Sequence, residues 1–423
     1  MKYDYNARTM RKLFIVALVS AAFSCTPETF GPVPTEAQLE WQDMEYYMFC
    51  HFGPNTFTDK EWGDGNENPD VFAPTALDCR QWARTAKDAD MKGIVITAKH
   101  HDGFCLWPSK FSNHTVAQSA WRDGKGDVLK ELSEACREYG LKFGIYISPW
   151  DRNHPDYGTA AYNDVFAGTI REAHTAYGPV FEQWFDGAGG NDPKNMGMPY
   201  DWDLFNGTVY SVSPNAVIFS DVGPGCRWVG NENGYAGETN WCRLDIEGYA
   251  PGRNAPERDT LSQGNVFGKN WVPAECDVSI RPGWFYSSAT DDKVKTVDEL
   301  MNIYLGSVGR GANLILNVPP DRTGRINAID SLRLMEFRRA RETFFTKGEK
   351  PHCAVICEDL RSGQKIKSFT IEAKLNGKWT EIASGTTVGH KRIITFEPVD
   401  TKYIRYRVTD SFGKPKVRSF EVY

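Results

Sequence analysis

The segment Gln183-Trp184-Phe185-Asp186-Gly187 ends an apolar run in a carboxylate, with Gly187, Gly189 and Gly190 close behind. Glycine carries no Cβ, so a ligand can come close to the backbone there. Asp186 is thus a candidate nucleophile or base, although an aspartate that merely starts a turn has the same local pattern. Ala98-Lys99-His100-His101-Asp102-Gly103-Phe104 supplies paired imidazoles, which could bind metal, move a proton or hydrogen-bond a substrate. No His-x-His or His-Glu-x-x-His spacing accompanies them, so a metal site would need ligands from elsewhere and none is expected. His51-Phe52-Gly53-Pro54-Asn55-Thr56-Phe57 is followed by Glu61-Trp62-Gly63. A Glu-Trp pair can grip vicinal hydroxyls and stack a sugar face, but a surface acid beside a packing indole reads the same way. The stretch from Arg227 to Thr239 is rich in Gly and Asn and reads as a loop holding two acids, Glu232 and Glu238. Glycoside hydrolysis needs two carboxyls, about 5–5.5 Å apart when configuration is retained. Asp186 and one glutamate of this loop could supply them; solvated, idle acids fit the loop equally well.

These groups need elements to position them. From about residue 40 to 345, strand-like runs alternate with helical periodicity. Strands are expected at Tyr46 to Phe52, Gly93 to Ala98, Phe143 to Ile147, Val180 to Phe185, Ala216 to Ser220 and Asn313 to Val318. Helices are expected around Trp82, from Val128 to Tyr139, from Tyr162 to Tyr177, near Val297 to Val308 and from Ser331 to Thr346. Such alternation implies a parallel sheet with helical crossovers, either open or closed. No Gly-x-Gly-x-x-Gly follows the early strands, which argues against a dinucleotide fold. Instead a polar or aromatic group follows nearly every strand: His51, then His100 and His101, then Ser148, Trp150 and Asp151, then Asp186, then Asp221. Chemistry gathered at the C-terminal ends of many strands is the signature of a TIM-like (β/α)-barrel. Beyond residue 350, alternating runs such as SFTIEAKLNGKWTEIA and KYIRYRVTD predict a small antiparallel β module. The organisation expected is a signal at 1–25, a barrel over 31–346 and a sandwich-like module over 351–423. The module is short, so it either braces the barrel or crowds one side of its pocket.

Composition narrows the class. The chain has 423 residues, 41% hydrophobic and 25% charged, with a net charge of −6. That is globular and offers no cationic stripe for nucleic acid. Aromatic residues make up 13%, consistent with ring faces that stack on sugars, and equally with the core of a large α/β enzyme. Arg11 and Lys12 precede an apolar run from Leu13 to Phe23, too short to span a bilayer, and Ser24 precedes Cys25. This reads as an export signal of lipoprotein type, lipidated on Cys25, placing the protein in a periplasm or on an outer membrane or cell surface. The other nine cysteines are scattered without C-x-x-C pairs, so neither a zinc cluster nor a particular disulfide is expected.

The ordered series HFGPNTF, EWG, TAKHHDGFCLW, YISPWD, QWFDG, RWVGNENGYAGET and NLILNVPPDRTG resembles glycoside hydrolase family 29, the retaining α-L-fucosidases. The resemblance covers about residues 40–345. It implies that Asp186 is the nucleophile and that His51, Glu61, Trp62, His100, His101, Tyr146 and Trp184 line a fucose pocket. Gly230-Asn231-Glu232 resembles the subgroup acting on branched α-1,3/1,4-linked fucose, which implies Glu232 as acid/base, with Glu238 as runner-up. Arg227 and Trp284 are further pocket candidates. The implied substrate is a fucosylated oligosaccharide, with no cofactor. Ionised Asp186 would be favoured by nearby His or Arg charge, and protonated Glu232 by burial or by the Asp186 charge. Two other readings remain: a non-catalytic surface protein that captures fucosylated glycans, and a metal-dependent barrel hydrolase using His100, His101 and an aspartate.

Overall fold

Strand β1 (Tyr46–Cys50) shows how this molecule is assembled. Tyr46, Met48 and Cys50 face an outer apolar layer, while Tyr47 and Phe49 belong to a separate inner cluster. Strand side chains alternate with a period of two, so one apolar run feeds both layers. The computed structural model describes residues 29–423; the expected export signal and Cys25 lie outside them. Seven further strands join β1 in a closed barrel: β2 (Gly93–Lys99), β3 (Lys142–Ile147), β4 (Val180–Trp184), β5 (Val217–Ser220), β6 (Cys226–Trp228), β7 (Ala274–Ser279) and β8 (Asn313–Asn317). They follow chain order round the ring, and β1 closes on β8 in parallel. The expected TIM-like barrel is what the chain forms.

Helices α1 (Glu36–Met44), α2 (Cys79–Asp88), α3 (Val128–Tyr139), α4 (Ala161–Tyr177), α5 (Trp202–Val212), α6 (Val297–Gly306) and α7 (Ala328–Phe344) accompany the strands. Their starts are written locally. Asp78 and Asp127 cap α2 and α3 by accepting from backbone N–H groups, and Thr296 with Glu299 forms a capping box on α6. Gly140 ends α3 in the left-handed conformation. Helix α1 plugs the N-terminal end of the barrel: Trp41 is buried, and its indole N–H donates to Glu182 Oε1 at 3.3 Å.

Two strands escaped the sequence reading, for different reasons. No helix separates β5 from β6. Ser220 Oγ donates to the carbonyl of Gly223 at 2.7 Å, and Gly225 N–H returns to the carbonyl of Ile218 at 3.0 Å. A Cβ on Gly225 would lie 2.4 Å from Ile218 N, so the return needs glycine. Strand β7 reads AECDVS, and its two acids interrupt the apolar pattern, yet all six residues are buried.

The C-terminal module has strands β9 (Cys353–Glu358), β10 (Ile366–Leu375), β11 (Lys378–Gly385), β12 (Arg392–Thr395), β13 (Ile404–Ser411) and β14 (Val417–Val422). They form two three-stranded antiparallel sheets, β12-β9-β14 and β11-β10-β13. Ile356, Ile366, Phe369 and Ile371 lie between them. Ile393 N–H donates to Gly309 O, and Lys391 and His390 reach Glu45. Gly309 and Glu45 precede β8 and β1, so these contacts lie at the N-terminal end of the barrel. Together with a bond from Asn240 N–H to Thr387 Oγ1, they make the module a brace.

Candidate active site

The inward positions at the C-terminal ends of the strands converge on one cavity of about 480 Å³. Phe49, Trp184 and Phe219 form its floor, with Trp184 and Phe219 stacked at 3.9 Å. His51, Glu61, Trp62, His100, His101, Asp186, Glu232 and Trp284 complete the set of predicted residues lining it. Tyr146 is fully buried beneath and touches the site through its hydroxyl.

Asp186 follows β4. Its Oδ1 accepts from Ala188 N–H at 2.6 Å and its Oδ2 from Tyr146 O–H at 2.9 Å. Burial raises the Asp186 pKa, and these two donors oppose that rise. The donors, not a neighbouring positive charge, hold the carboxylate. Burial pushes His51 and His101 down to about 3 and His100 well below its usual range, so all three rings are neutral at ordinary pH. No Arg or Lys is among the described residues lining the cavity. The expectation of stabilising His or Arg charge is corrected accordingly.

The hydrogen-bond network assigns the imidazole roles. Asn317 Nδ2 donates to Ser279 Oγ and to Trp284 O, which leaves Oδ1 for His51 Nδ1 at 2.9 Å. His51 therefore presents Nε2 as an acceptor. Ser148 Oγ donates to Trp150 O and so accepts from His101 Nδ1 at 2.8 Å. His101 Nε2 is then also an acceptor, 3.6 Å from Asp186 Oδ2, and the two do not bond each other. Asn55 Nδ2 donates to Glu61 O and lies 3.4 Å from His100 Nδ1, leaving His100 an Nε2–H donor. Neutral acceptors alternating with a donor suit a polyhydroxylated ligand.

His100, His101 and Asp186 bring their ligand atoms within 4.8 Å of one another. The protonated Nε2 of His100 and the Tyr146 bond to Asp186 are both set against metal ligation. Three neutral or singly charged groups poised for hydroxyls fit the network better than three ligands poised for a cation.

Glu232 lies on the loop after β6. Burial raises its pKa and the Asp186 charge raises it further. A proton donor beside a carboxylate nucleophile needs that direction of shift. Glu61 lies near Glu232, whose charge helps raise its pKa after burial, and Trp284 N–H donates to its Oε2 at 2.7 Å. The runner-up acid, Glu238, is elsewhere: it does not line the cavity, pairs with Arg310 at 3.2 Å, and its backbone carbonyl is held by Arg392.

Arg227 is the one predicted pocket residue that faces away from the site. On β6, Cys226 and Trp228 point inward, so the alternation turns Arg227 outward. Its guanidinium is fully buried and donates to Leu261 O, Val272 O and Asn240 Oδ1. Burial without a carboxylate partner lowers its pKa to about 10. The neighbour, Trp228, lines the cavity instead, and its indole N–H donates to Asp277 Oδ1 at 2.9 Å. Asp277 and Asp221 also line the cavity. Asp221 was visible as a strand-end acid; Asp277 sits on the unread strand β7.

The comparisons with known proteins agree with this geometry. Residues 30–339 match the family model described as alpha-L-fucosidase. The chain is 37% identical to alpha-L-fucosidase 1 of Arabidopsis thaliana, over 93% of this chain and 87% of that protein. A glycoside hydrolase 29 family member from an unknown rumen bacterium superposes with a TM-score of 0.87 at 43% identity, covering 94% of this chain and 78% of that one. A Ruminococcus gnavus family 29 fucosidase, solved in complex with fucose, gives 0.85 at 27% identity, covering 94% and 96%. With a barrel whose mouth carries a seated carboxylate, a second acid and three neutral imidazoles, and with the family matched along most of its length, the chain belongs to glycoside hydrolase family 29, the α-L-fucosidases.

Proposed function

We propose that this chain is an exo-acting α-L-fucosidase that removes terminal fucose from oligosaccharides or glycoconjugates with retention of configuration. The observation that carries the reading is the pairing of Asp186 and Glu232 across one cavity, with opposite demands on their protons. Asp186, ionised and hydrogen-bonded, attacks the anomeric carbon of fucose. Glu232 donates its proton to the departing glycosidic oxygen, then takes a proton from the water that hydrolyses the fucosyl–Asp186 ester. His51 and His101 accept from fucose hydroxyls, and His100 donates. Trp184 and Trp284 offer apolar faces to the methyl group and ring. The resemblance of Gly230-Asn231-Glu232 supports branched α-1,3/1,4 linkages as the preferred substrate.

The test is fucose release from an aryl α-L-fucoside and a branched Lewis-type trisaccharide, with proton NMR of the first-formed anomer. Retention predicts α-L-fucose first and release from the trisaccharide. First-formed β-fucose would overturn the retaining mechanism, and binding without turnover would restore the capture-protein reading. Undiminished activity in EDTA is expected; its loss would favour metal chemistry at His100, His101 and Asp186. We also propose that the chain is exported and anchored through Cys25. Cys25→Ser should move the activity from the membrane fraction to the soluble one, and unchanged fractionation would refute the anchor.

A further inference from the structure

A cleft of about 520 Å³ lies where helix α6 meets the C-terminal module, and none of its lining residues lines the catalytic cavity. Two guanidiniums share it. Arg310 precedes β8, Arg392 opens β12, and the two residues stand opposite each other in an isolated antiparallel bridge. Arg310 Nη1 donates to Ala236 O at 2.7 Å and its Nη2 to Glu238 Oε1 at 3.2 Å, while Arg392 Nη1 donates to Glu238 O at 2.7 Å.

These bonds tie down the end of the loop after β6, but they leave the charge unbalanced. Arg392 is only 7% exposed, its one side-chain bond goes to a neutral carbonyl, and its Nε is buried with no partner among the described residues. A buried donor left unpaired is costly, more so on a charged group. Among the described residues, the one carboxylate lining the cleft is that of Glu238, 76% exposed, and water screens its pairing with Arg310. Burial and the Arg310 charge lower the Arg392 pKa, with Glu238 opposing them. Two cations thus face a single solvated anion, and a second anion seated between them would supply what Arg392 lacks.

The remaining walls suit more than a bare ion. Tyr235 is 38% exposed and lies so close to α6 that a Cβ on Gly306 would come within 2.3 Å of its ring. Asn302, Ser384 and Thr395 also line the cleft, exposed and with no side-chain partner among the described residues. An open ring face beside neutral hydrogen-bonding groups accommodates the C–H face and the hydroxyls of a pyranose. The volume is that of an ordinary small-molecule site.

We propose that this cleft is a second ligand site, separate from the catalytic cavity, which binds a monosaccharide carrying a carboxylate. Arg310 and Arg392 hold the carboxylate, and Tyr235 and Asn302 hold the ring. The inference does not depend on the fucosidase reading.

The experiment is calorimetric titration of the protein with glucuronate and with glucose, in wild type, Asn302→Ala and Asn302→Asp. Asn302 is exposed on α6 and holds no other side chain, so both variants should keep the wild-type Tm. Wild type should bind glucuronate and not glucose. Asn302→Asp adds a negative charge to the cleft and should weaken glucuronate binding by about tenfold, and Asn302→Ala by less. No saturable binding of glucuronate to wild type, or equal binding by wild type and Asn302→Asp, would overturn the site and leave the two arginines as clips for the loop. Inorganic sulfate bound as tightly as glucuronate would overturn the assignment of a sugar.

Discussion

Asp186 and Glu232 differ in what surrounds their protons, and that difference can be measured. Asp186 receives two donors, whereas Glu232 faces the Asp186 charge. Asp186→Ala should abolish turnover of every fucoside. Glu232→Ala should spare aryl fucosides with good leaving groups, which depart without a proton, and slow natural glycans by about 10²–10⁴. The same pattern in Glu238→Ala would move the acid to the other glutamate. Burial raises both working carboxyls, so kcat/KM should rise as Asp186 loses its proton and fall at higher pH as Glu232 loses its own. In Glu232→Ala the alkaline limb should vanish from the aryl profile; its persistence would assign that limb to another group. Arg227 illustrates the limit of residue-level reading. Adjacent positions on a strand face opposite ways, and a chain in which β6 was unread gave no parity by which to choose Trp228 over Arg227. Arg227→Ala should therefore act on stability, lowering Tm, and not on KM. A raised KM with unchanged Tm would return Arg227 to the site.

Strands with clean apolar runs were legible, β4 among them despite its one inward acid, whereas β7, with two acids in six residues, was not. β4 and β7 turn Glu182 and Glu275 into the closed interior, where neither reaches solvent. Glu275 Oε1 accepts from the Trp184 indole at 2.8 Å, and Tyr47 O–H bonds Glu275 and reaches Glu182 Oε1 at 3.5 Å. Burial and mutual proximity raise the Glu182 carboxyl, and burial raises that of Glu275, so the pair holds a proton in common. A sequence pattern scores such residues as polar interruptions, because the hydrogen bonds that permit their burial come from distant segments. The pair also supports chemistry above it, since Trp184 floors the cavity. Glu275→Ala should cost about 2–4 kcal/mol by stranding Glu182, Tyr47 and Trp184. Glu275→Gln, which keeps the shape and can still hydrogen-bond, should cost much less and retain KM for an aryl fucoside. Equal Tm values for the two variants, measured by calorimetry, would show that the dyad carries no such stabilisation.

Across the whole molecule, the module docks chiefly at the N-terminal end of the barrel, away from the catalytic mouth, although the long loop that carries Glu232 also meets it, through Asn240 N–H to Thr387 Oγ1 and Arg392 to Glu238 O. The module's presence was plain from its alternating runs; its position was not, because the contacts that fix it are single residues far apart in sequence. Glu45, just before β1, is the clearest of them. Burial would raise its carboxyl, but His390 and Lys391 more than reverse this and hold it at about 2, against an ordinary 4.5. A carboxyl with a depressed folded pKa stabilises fully above its unfolded value and loses that contribution as pH falls through the folded one. Here the window runs from about 4.5 down to about 2, and the contribution at neutral pH is on the order of 3 kcal/mol. Glu45→Gln should therefore lower stability to denaturant at pH 7, with the deficit shrinking steadily as the pH is brought below 4. Because the junction is remote from Asp186, kcat/KM for an aryl fucoside should remain that of wild type at temperatures where both are folded. A pH-independent deficit would show that Glu45 acts through packing and not through its charge. A fall in kcat/KM without a change in Tm would show that the module reaches the catalytic mouth, contrary to its placement as a brace.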